Sequence, residues 1–481
     1  MKKIVTVLFM GLVLTACQKF LDVNPKGEVF DADMFTTAEG YEDALYGIYN
    51  ELSETQSLFG AYYWWIPEAC SQNVIAGASS SDYQFGYIQL GYWYDTAQKS
   101  ICKSLWSDGY KAINHVNNII QHAEDGGVES FRHGNLYLGE AYALRAFLHF
   151  ELLKLFGAPY WASDEVKKQA IPYVEKYSFD VTPFSSFDEV VEKILADFSK
   201  AEVLLSEDSE LVTVERDNAA TGFTSARITH LNLYAVQALM ARLYWYRGDM
   251  TNAAIYAQKV IDSKKFSFRP LSAFRQPDNG TLDLNETLFG LYGLKYQTWN
   301  AQKYGLTGTV SRAFLLPTDW NTLYEQDALS VTTVDYRLTA WFNDGDQTLR
   351  KLANSVYYEG TGNTYGGPSI LGANVIRLPE LYYIMAEAYM ETNPSIAVDY
   401  YNEVLATRGR PSVAESALTQ AALFKERRRE VYGEGFTWYE MKRGKMDVPT
   451  IRGDVLRGDL PSTFMVPIPD EEYAARDNME I

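Results

Sequence analysis

The apolar positions of this chain fall mostly at helical spacing. Thr36 or Thr37 can cap a helix reaching about Glu54, with Ala44, Leu45, Ile48, Tyr49 and Leu52 along one side. Leu105 to Ala123 repeats the pattern through Leu105, Tyr110, Ile113, Val116, Ile119 and Ile120. Gly139 to Phe156 is strongly apolar and stops at Gly157, with Pro159 just beyond, the expected end of a helix. Phe187–Leu205 and Leu231–Tyr246 predict a fourth and a fifth. The charged stretch Leu423–Gly444 predicts two more. Three arginines (Arg427, Arg428, Arg429) lie between Glu426 and Glu430, and a Gly433-Glu434-Gly435 break precedes Phe436, Trp438, Lys442 and Arg443. A run of charge is ordinarily a solvated face, and that is the expectation here. The alternative is that these arginines clamp carboxylates or helix ends from elsewhere in the chain.

The pattern also repeats. Ala241-Arg-Leu-Tyr244, Gly248-Asp249 and Ala253 recur in part as Ala386-Glu-Ala-Tyr389 and Asn393, with Ala397 one position early. Leu144-Arg-Ala146-Phe-Leu-His149 and Gly157 form a looser copy. Small residues at these places let two helices approach closely, and aromatics fill the groove between pairs, as in tetratricopeptide units. Generic helix packing by alanine is the plainer reading. The expected fold is therefore mostly α: an irregular tetratricopeptide-like scaffold of helical pairs with minor β. Long inserts near 58–95, 265–312 and 329–376 interrupt it. They mix aromatics with Gly, Ser, Thr and Asn without helical period and read as loops with short strands; loops this long are commonly functional.

Composition narrows the function. The chain has 481 residues and a formal charge of −19, which disfavours nucleic-acid binding because phosphates require clustered positive charge. It carries 35 Tyr, 24 Phe and 10 Trp, and tyrosine is the ring that tolerates a half-wet position. A flat ring can stack on the C–H face of a sugar while Asn, Gln, Asp and Arg bond its hydroxyls. Tyr62, Tyr63, Trp64 and Trp65 are the densest cluster, and Tyr92, Trp93 and Tyr94 the next. Tyr63, Trp64, Trp65, Trp93, Tyr296 and Trp299 are the candidate ligand contacts. Burial beneath loops or at a partner interface is an equal alternative for each ring.

The N-terminus reads as an address. Lys2 and Lys3 precede an apolar run from Ile4 to Leu14, too short to span a bilayer. Leu14-Thr15-Ala16-Cys17 then fits a bacterial lipobox, which predicts removal of residues 1–16 and lipidation of Cys17. Residues 17–35 read as a polar tether and 36–481 as a single domain, anchored to a membrane without crossing it. Cys70 and Cys102 are either one disulfide or two buried thiols.

Catalytic signatures do not stand out. The sequence holds no His-Glu-x-x-His, no Walker loop and no Gly-x-Ser-x-Gly. His115 and His122 lie seven apart with no third ligand evident. Asn343-Asp344-Gly345-Asp346 lacks the later acid of a full calcium loop and reads as a polar turn. No metal or cofactor is expected, calcium being the one candidate. Sixty-two acids guarantee some pair at a glycosidase spacing, an observation without weight until geometry is known.

Several separated stretches resemble the SusD/RagB family of Bacteroidetes outer-membrane lipoproteins. They are Cys17-x-x-Phe20-Leu21-Asp22 with Pro25, Trp106–Ile120, Gly139–Gly157, Arg377–Tyr389, Glu426–Gly444 and Val466-Pro-Ile-Pro-Asp-Glu-Glu472. They occur in the family's order and cover most of the chain. Thr437 departs from the arginine usual before the tryptophan, and Ile481 closes the chain without the usual Asn-Pro-rich tail. The resemblance implies a SusD-like helical scaffold and a lipid-anchored protein of the outer membrane facing the exterior. It also implies a lid on a TonB-dependent, SusC-like β-barrel transporter, and capture of a nutrient, most often an oligosaccharide, without bond cleavage. A peptide-binding RagB-like protein, a structural lid with no ligand of its own and a lipid-anchored glycoside hydrolase are the alternatives.

Overall fold

The structure, a computed structural model, describes residues 31–76, 83–214, 222–275, 280–304, 314–315, 323–325, 334–342, 349–352 and 370–477. The expected signal segment 1–16, Cys17, most of the expected tether, Asn343–Asp346, Tyr357, Tyr358 and Tyr365 lie outside these residues. No described helix is long and apolar enough to cross a membrane.

The amphipathic stretches fold as their spacing predicts. Helix α1 is Ala38–Glu54. Its cap is the Thr37 hydroxyl, which accepts the Gly40 N–H at 3.1 Å, and Tyr41, Leu45, Ile48 and Leu52 face the core. Further on come α2 (Tyr62–Cys70), α3 (Tyr83–Gln89) and α4 (Thr96–His122), which starts nine residues before Leu105. Helix α5 (Gly134–Phe156) is buried on every side from Gly139 onward and stops at Gly157. Helix α6 (Phe187–Leu204) opens with a full capping box, Ser186 and Glu189 bonding each other's backbone.

Two antiparallel hairpins carry the predicted repeat. Helices α7 (Leu233–Tyr246) and α8 (Met250–Ser263) pack on each other, and their Ala238, Ala241, Ala253 and Ala257 are all buried. Gly248, at φ +84°, makes the turn, and Asp249 caps α8 by accepting the Asn252 N–H at 3.1 Å. After α9 (Lys295–Tyr304) and α10 (Tyr336–Trp341) the pattern returns in α11 (Leu378–Tyr389) and α12 (Pro394–Thr407). There Ala386 and Ala397 supply the close approach and Asn393 the cap. Helix α8 packs on α11, α5 on α4 and α6, so the pairs stack into an irregular tetratricopeptide-like array. The β content of the described residues is small: β1 (Thr287–Tyr292) pairs antiparallel with β2 (Gly372–Arg377), β3 (Val448–Pro449) with β4 (Val455–Leu456), and two further two-residue pairs and two isolated bridges accompany them.

Two expectations are corrected. Residues 58–95 are not a loop insert, since α2 and α3 occupy much of the stretch. Helix α2 buries every residue from Tyr63 to Cys70, so it has no polar face and its sequence shows no 3.6-residue period. Helices α9 and α10 likewise replace parts of the other two inserts, while strands β1 and β2 are short strands of the kind expected there.

The second correction concerns the arginine run, which is not a solvated face. Helix α13 (Gln420–Glu430) buries Glu426, Arg427, Arg429 and Glu430. Glu430 accepts from Arg408 at 2.8 and 2.9 Å, from Arg377 at 2.6 Å and from Arg337 at 3.0 Å. Arg408 reaches on to Glu286 at 2.8 and 2.9 Å, and Arg337 to Asp335 at 2.7 Å and Glu426 at 2.7 Å. Arg427 joins Glu387 at 2.6 Å to Glu440 at 2.9 Å. The clamp reading is the correct one: the run ties α13 to distant segments.

The break after α13 closes onto α2. Gly433 (φ +83°) and Gly435 (φ +66°) take left-handed backbone, and a Cβ on Gly435 would meet Tyr63 O at 3.0 Å. The Gly435 N–H bonds the buried Glu68 carboxylate at 2.8 Å. Helix α14 (Thr437–Arg443) follows. Thr437, which stands where an arginine was expected, is buried and accepts the Asn73 side-chain N–H at 3.1 Å, so the substitution is absorbed locally. Cys70 and Cys102 are both free buried thiols. Helix α15 (Asp470–Asp477) ends the described chain.

Candidate ligand groove

The structure divides the predicted aromatic contacts into two groups. Tyr63, Trp64, Trp65 and Tyr296 are packed in the interior. The Trp64 indole N–H bonds Phe59 O at 2.6 Å and the Trp65 indole bonds Asn300 Oδ1 at 3.0 Å, so each polar edge is satisfied internally. Phe85, Phe314 and the Lys303 ammonium, 4.8 Å from its ring, enclose Trp65. Tyr296 lies edge-on to Trp64 at 6.3 Å. Trp299 is half-buried on α9, its ring so close to the Gly60 backbone that a Cβ there would collide with it. These five rings are brought together around α2 and α9, four of them buried and Trp299 half-buried beside them.

Trp93 stands apart. Although itself mostly covered, it forms one wall of a surface groove of about 460 Å³. The chain from Tyr92 to Asp95 enters α4 here, and Tyr94 stands out with 81% of its surface exposed. The first turns of α4 contribute Thr96, Lys99, Ser100 and Lys103, and the opposite wall is Pro467-Ile468-Pro469 with Asp470 and Glu471. Lys99 pairs with Asp470 and Lys103 with Glu471, each at 2.7 Å and each solvent-exposed. The hydrogen bond that Lys99 donates to Asp470 raises the lysine's pKa, and the bond that Glu471 accepts from Lys103 lowers that of the glutamate. Both pairs are exposed, so they are weakly held and open to exchange for ligand hydroxyls.

Beside the groove, α3 presents Tyr83 and Tyr87 one helical turn apart, with ring centroids at 6.0 Å, and Tyr92 continues the series 6.4 Å from Tyr87. All three are exposed. Gly91, at φ +76°, turns the chain between them and lies against Leu456 of β4. This region thus offers flat amphipathic rings beside charged and hydroxyl-bearing edges, the chemistry suited to a polyhydroxylated ligand. Of the residues in and beside this groove, the sequence offered Trp93 as a candidate contact and Tyr94 only as its cluster neighbour, and it did not point to Tyr83, Tyr87, Lys99 or Lys103. The available signal was Tyr94 itself, beside Asp95 at the start of a helix with a charged outer face.

The carboxyls pushed upward lie elsewhere. Burial raises Glu68 and Glu440 to about 7 although both accept hydrogen bonds, and neither lines the groove. His115 bonds Glu51 at 2.8 Å and His122 stacks on Phe35.

Two family models match this chain. One, described as "Starch-binding associating with outer membrane", covers residues 19–244, and the other, described as "SusD family", covers residues 295–454. The chain belongs to the SusD/RagB family. SusD-like protein P2 of Formosa agariphila is 24% identical to it over 99% of this chain and 98% of that protein. A SusD-like protein of Bacteroides ovatus is 22% identical over 91% and 82%. Among solved structures, a SusD superfamily protein from Bacteroides thetaiotaomicron matches with a TM-score of 0.72 at 22% identity, covering 92% of this chain and 99% of that one. A laminarin-binding SusD-like protein matches with a TM-score of 0.66 at 18% identity, covering 91% and 97%. These likenesses agree with the SusD-like helical scaffold described above.

Proposed function

We propose that this SusD-family protein is a surface lipoprotein of the outer membrane that captures an oligosaccharide and delivers it to a TonB-dependent, SusC-like β-barrel transporter. The observation that carries the proposal is the groove at Trp93 and Tyr94. Its exposed ring, its ion pairs and its volume suit a chain of a few sugars. The description of the matching family model and the laminarin-binding neighbour support the carbohydrate class. Cys17 is the proposed lipidated residue, and its diacylglycerol the membrane anchor. The role is binding, with no bond broken: the groove's acids, Asp470 and Glu471, are each paired with a lysine and suit hydrogen bonding to hydroxyls.

Calorimetric titration of the full chain in detergent, against starch- and laminarin-derived oligosaccharides and mixed peptides, tests this reading. Heat with one glycan class supports it. Heat with peptides alone would replace it with the peptide-binding alternative, and no heat with either would leave the structural lid.

A further inference from the structure

A second concavity, of about 380 Å³, lies further along α4. The first groove uses Thr96, Ser100 and Lys103 of this helix, and the second uses Ser107, Tyr110 and Asn114. These positions are spaced three or four apart and lie on one helical face. Ser100 and Tyr110, near the centres of the two grooves, are ten residues apart, about 15 Å along the axis. Helix α15 crosses between them: Asp470 and Glu471 face the first groove, Glu472 and Arg476 the second.

The second groove has the same kind of lining. Trp106 and Tyr110 form its floor, with the Tyr110 hydroxyl donating to Pro172 O at 2.8 Å. Phe179 stands at its rim with its ring fully exposed, and with Trp106, Tyr110 and Val181 it gives the groove an apolar side. Its lining also carries Ser107, Lys111, Ser178, Asp180 and Thr182, whose polar edges suit a ligand rich in hydroxyls beside the rings.

We infer that this groove is a second sugar subsite, continuous with the first along α4, so that the protein holds one extended oligosaccharide across α15. The inference rests on the glycan reading above. Two linked subsites make affinity depend on chain length, because the second contact forms at high effective concentration.

The test is titration of the detergent-solubilised full chain with two length series, maltose to maltoheptaose and laminaribiose to laminariheptaose. Affinity for one series is expected to rise about tenfold or more with length. Phe179→Ala, at a fully exposed site, should abolish that rise and leave the shortest sugar unaffected, whereas Tyr94→Ala should weaken every length. If Tyr94→Ala weakens binding but Phe179→Ala matches the unmodified chain at all lengths, the second subsite is wrong and the first groove stands. If Phe179→Ala instead releases a co-purifying protein with glycan binding unchanged, the face belongs to a protein partner and the inference fails. If no sugar of either series binds, the glycan reading fails and this inference falls with it.

Discussion

Replacing Glu430 by alanine should cost more stability than any surface substitution in this protein. Its carboxylate receives four hydrogen bonds from three buried arginines, Arg337, Arg377 and Arg408. Burial opposes its charge, but Arg408 and Arg377 outweigh that and hold its pKa well below the usual carboxylate range. Each arginine keeps another acid after the substitution: Arg408 keeps Glu286, Arg337 keeps Asp335 and Glu426, and Arg377 keeps Glu434 at 3.0 Å. The loss is therefore not the sum of four bonds. It is one uncompensated positive charge in a dry cluster, for which about 3–5 kcal/mol is expected. The comparison is Lys193→Ala, which removes an exposed pair with Glu175 and should cost under about 1 kcal/mol. Urea unfolding followed by circular dichroism measures both, read from midpoints at unchanged slope. Equal shifts for the two variants would refute the buried network as the lock between α13 and the distant segments it ties.

Three further outcomes are expected. Trp65→Ala should destabilise by about 3–5 kcal/mol through cavity formation while leaving glycan affinity within error of the unmodified chain; selective loss of affinity in a fully stable variant would return Trp65 to the ligand site. Stability should peak on the acid side of neutrality. Burial opposes the charge of Glu140 and Glu387, yet Arg227 and His230 beside the first, and Arg427 and Arg443 beside the second, hold both at about 2, so their contribution is present above about pH 4.5 and lost as pH falls toward 2. Burial raises Glu68 and Glu440 to about 7, so theirs is full below about pH 4.5 and lost as pH rises to 7; scanning calorimetry with no decline between pH 4.5 and 7 would contradict this. Cys17→Ala should leave the chain unlipidated and move it from the membrane to the soluble fraction, and retention in the membrane pellet would remove the proposed anchor.

The helices with one polar face were legible in the sequence because period and burial coincide there. The cap at Thr37, the stop at Gly157 and the alanine-lined hairpins of α7–α8 and α11–α12 follow from local chemistry. Helix α2 was not legible, since burial all round erases the period. The arginine run misled for a different reason. Its neighbours in sequence suggest helical pairing, but the network it belongs to draws on Glu286, Arg337, Arg377 and Arg408, which only the fold brings together. Ring-rich stretches failed to separate packing from binding. Both clusters are dense in rings, but Trp64 and Trp65 are buried with internal acceptors for their indole N–H groups, whereas Tyr94 is exposed. Pocket walls built from residues 93–103 and 467–471 could not be joined from sequence order alone.

The most direct test of the proposed function is the affinity of Tyr94→Ala for whichever oligosaccharide binds the unmodified chain, measured by calorimetry on folded protein of matched melting temperature. Loss of an exposed stacking ring at the groove should weaken binding by about tenfold, some 1.4 kcal/mol, with the circular dichroism spectrum unchanged. Unaltered affinity would place the ligand elsewhere and contradict the groove at Trp93 and Tyr94 as the capture site.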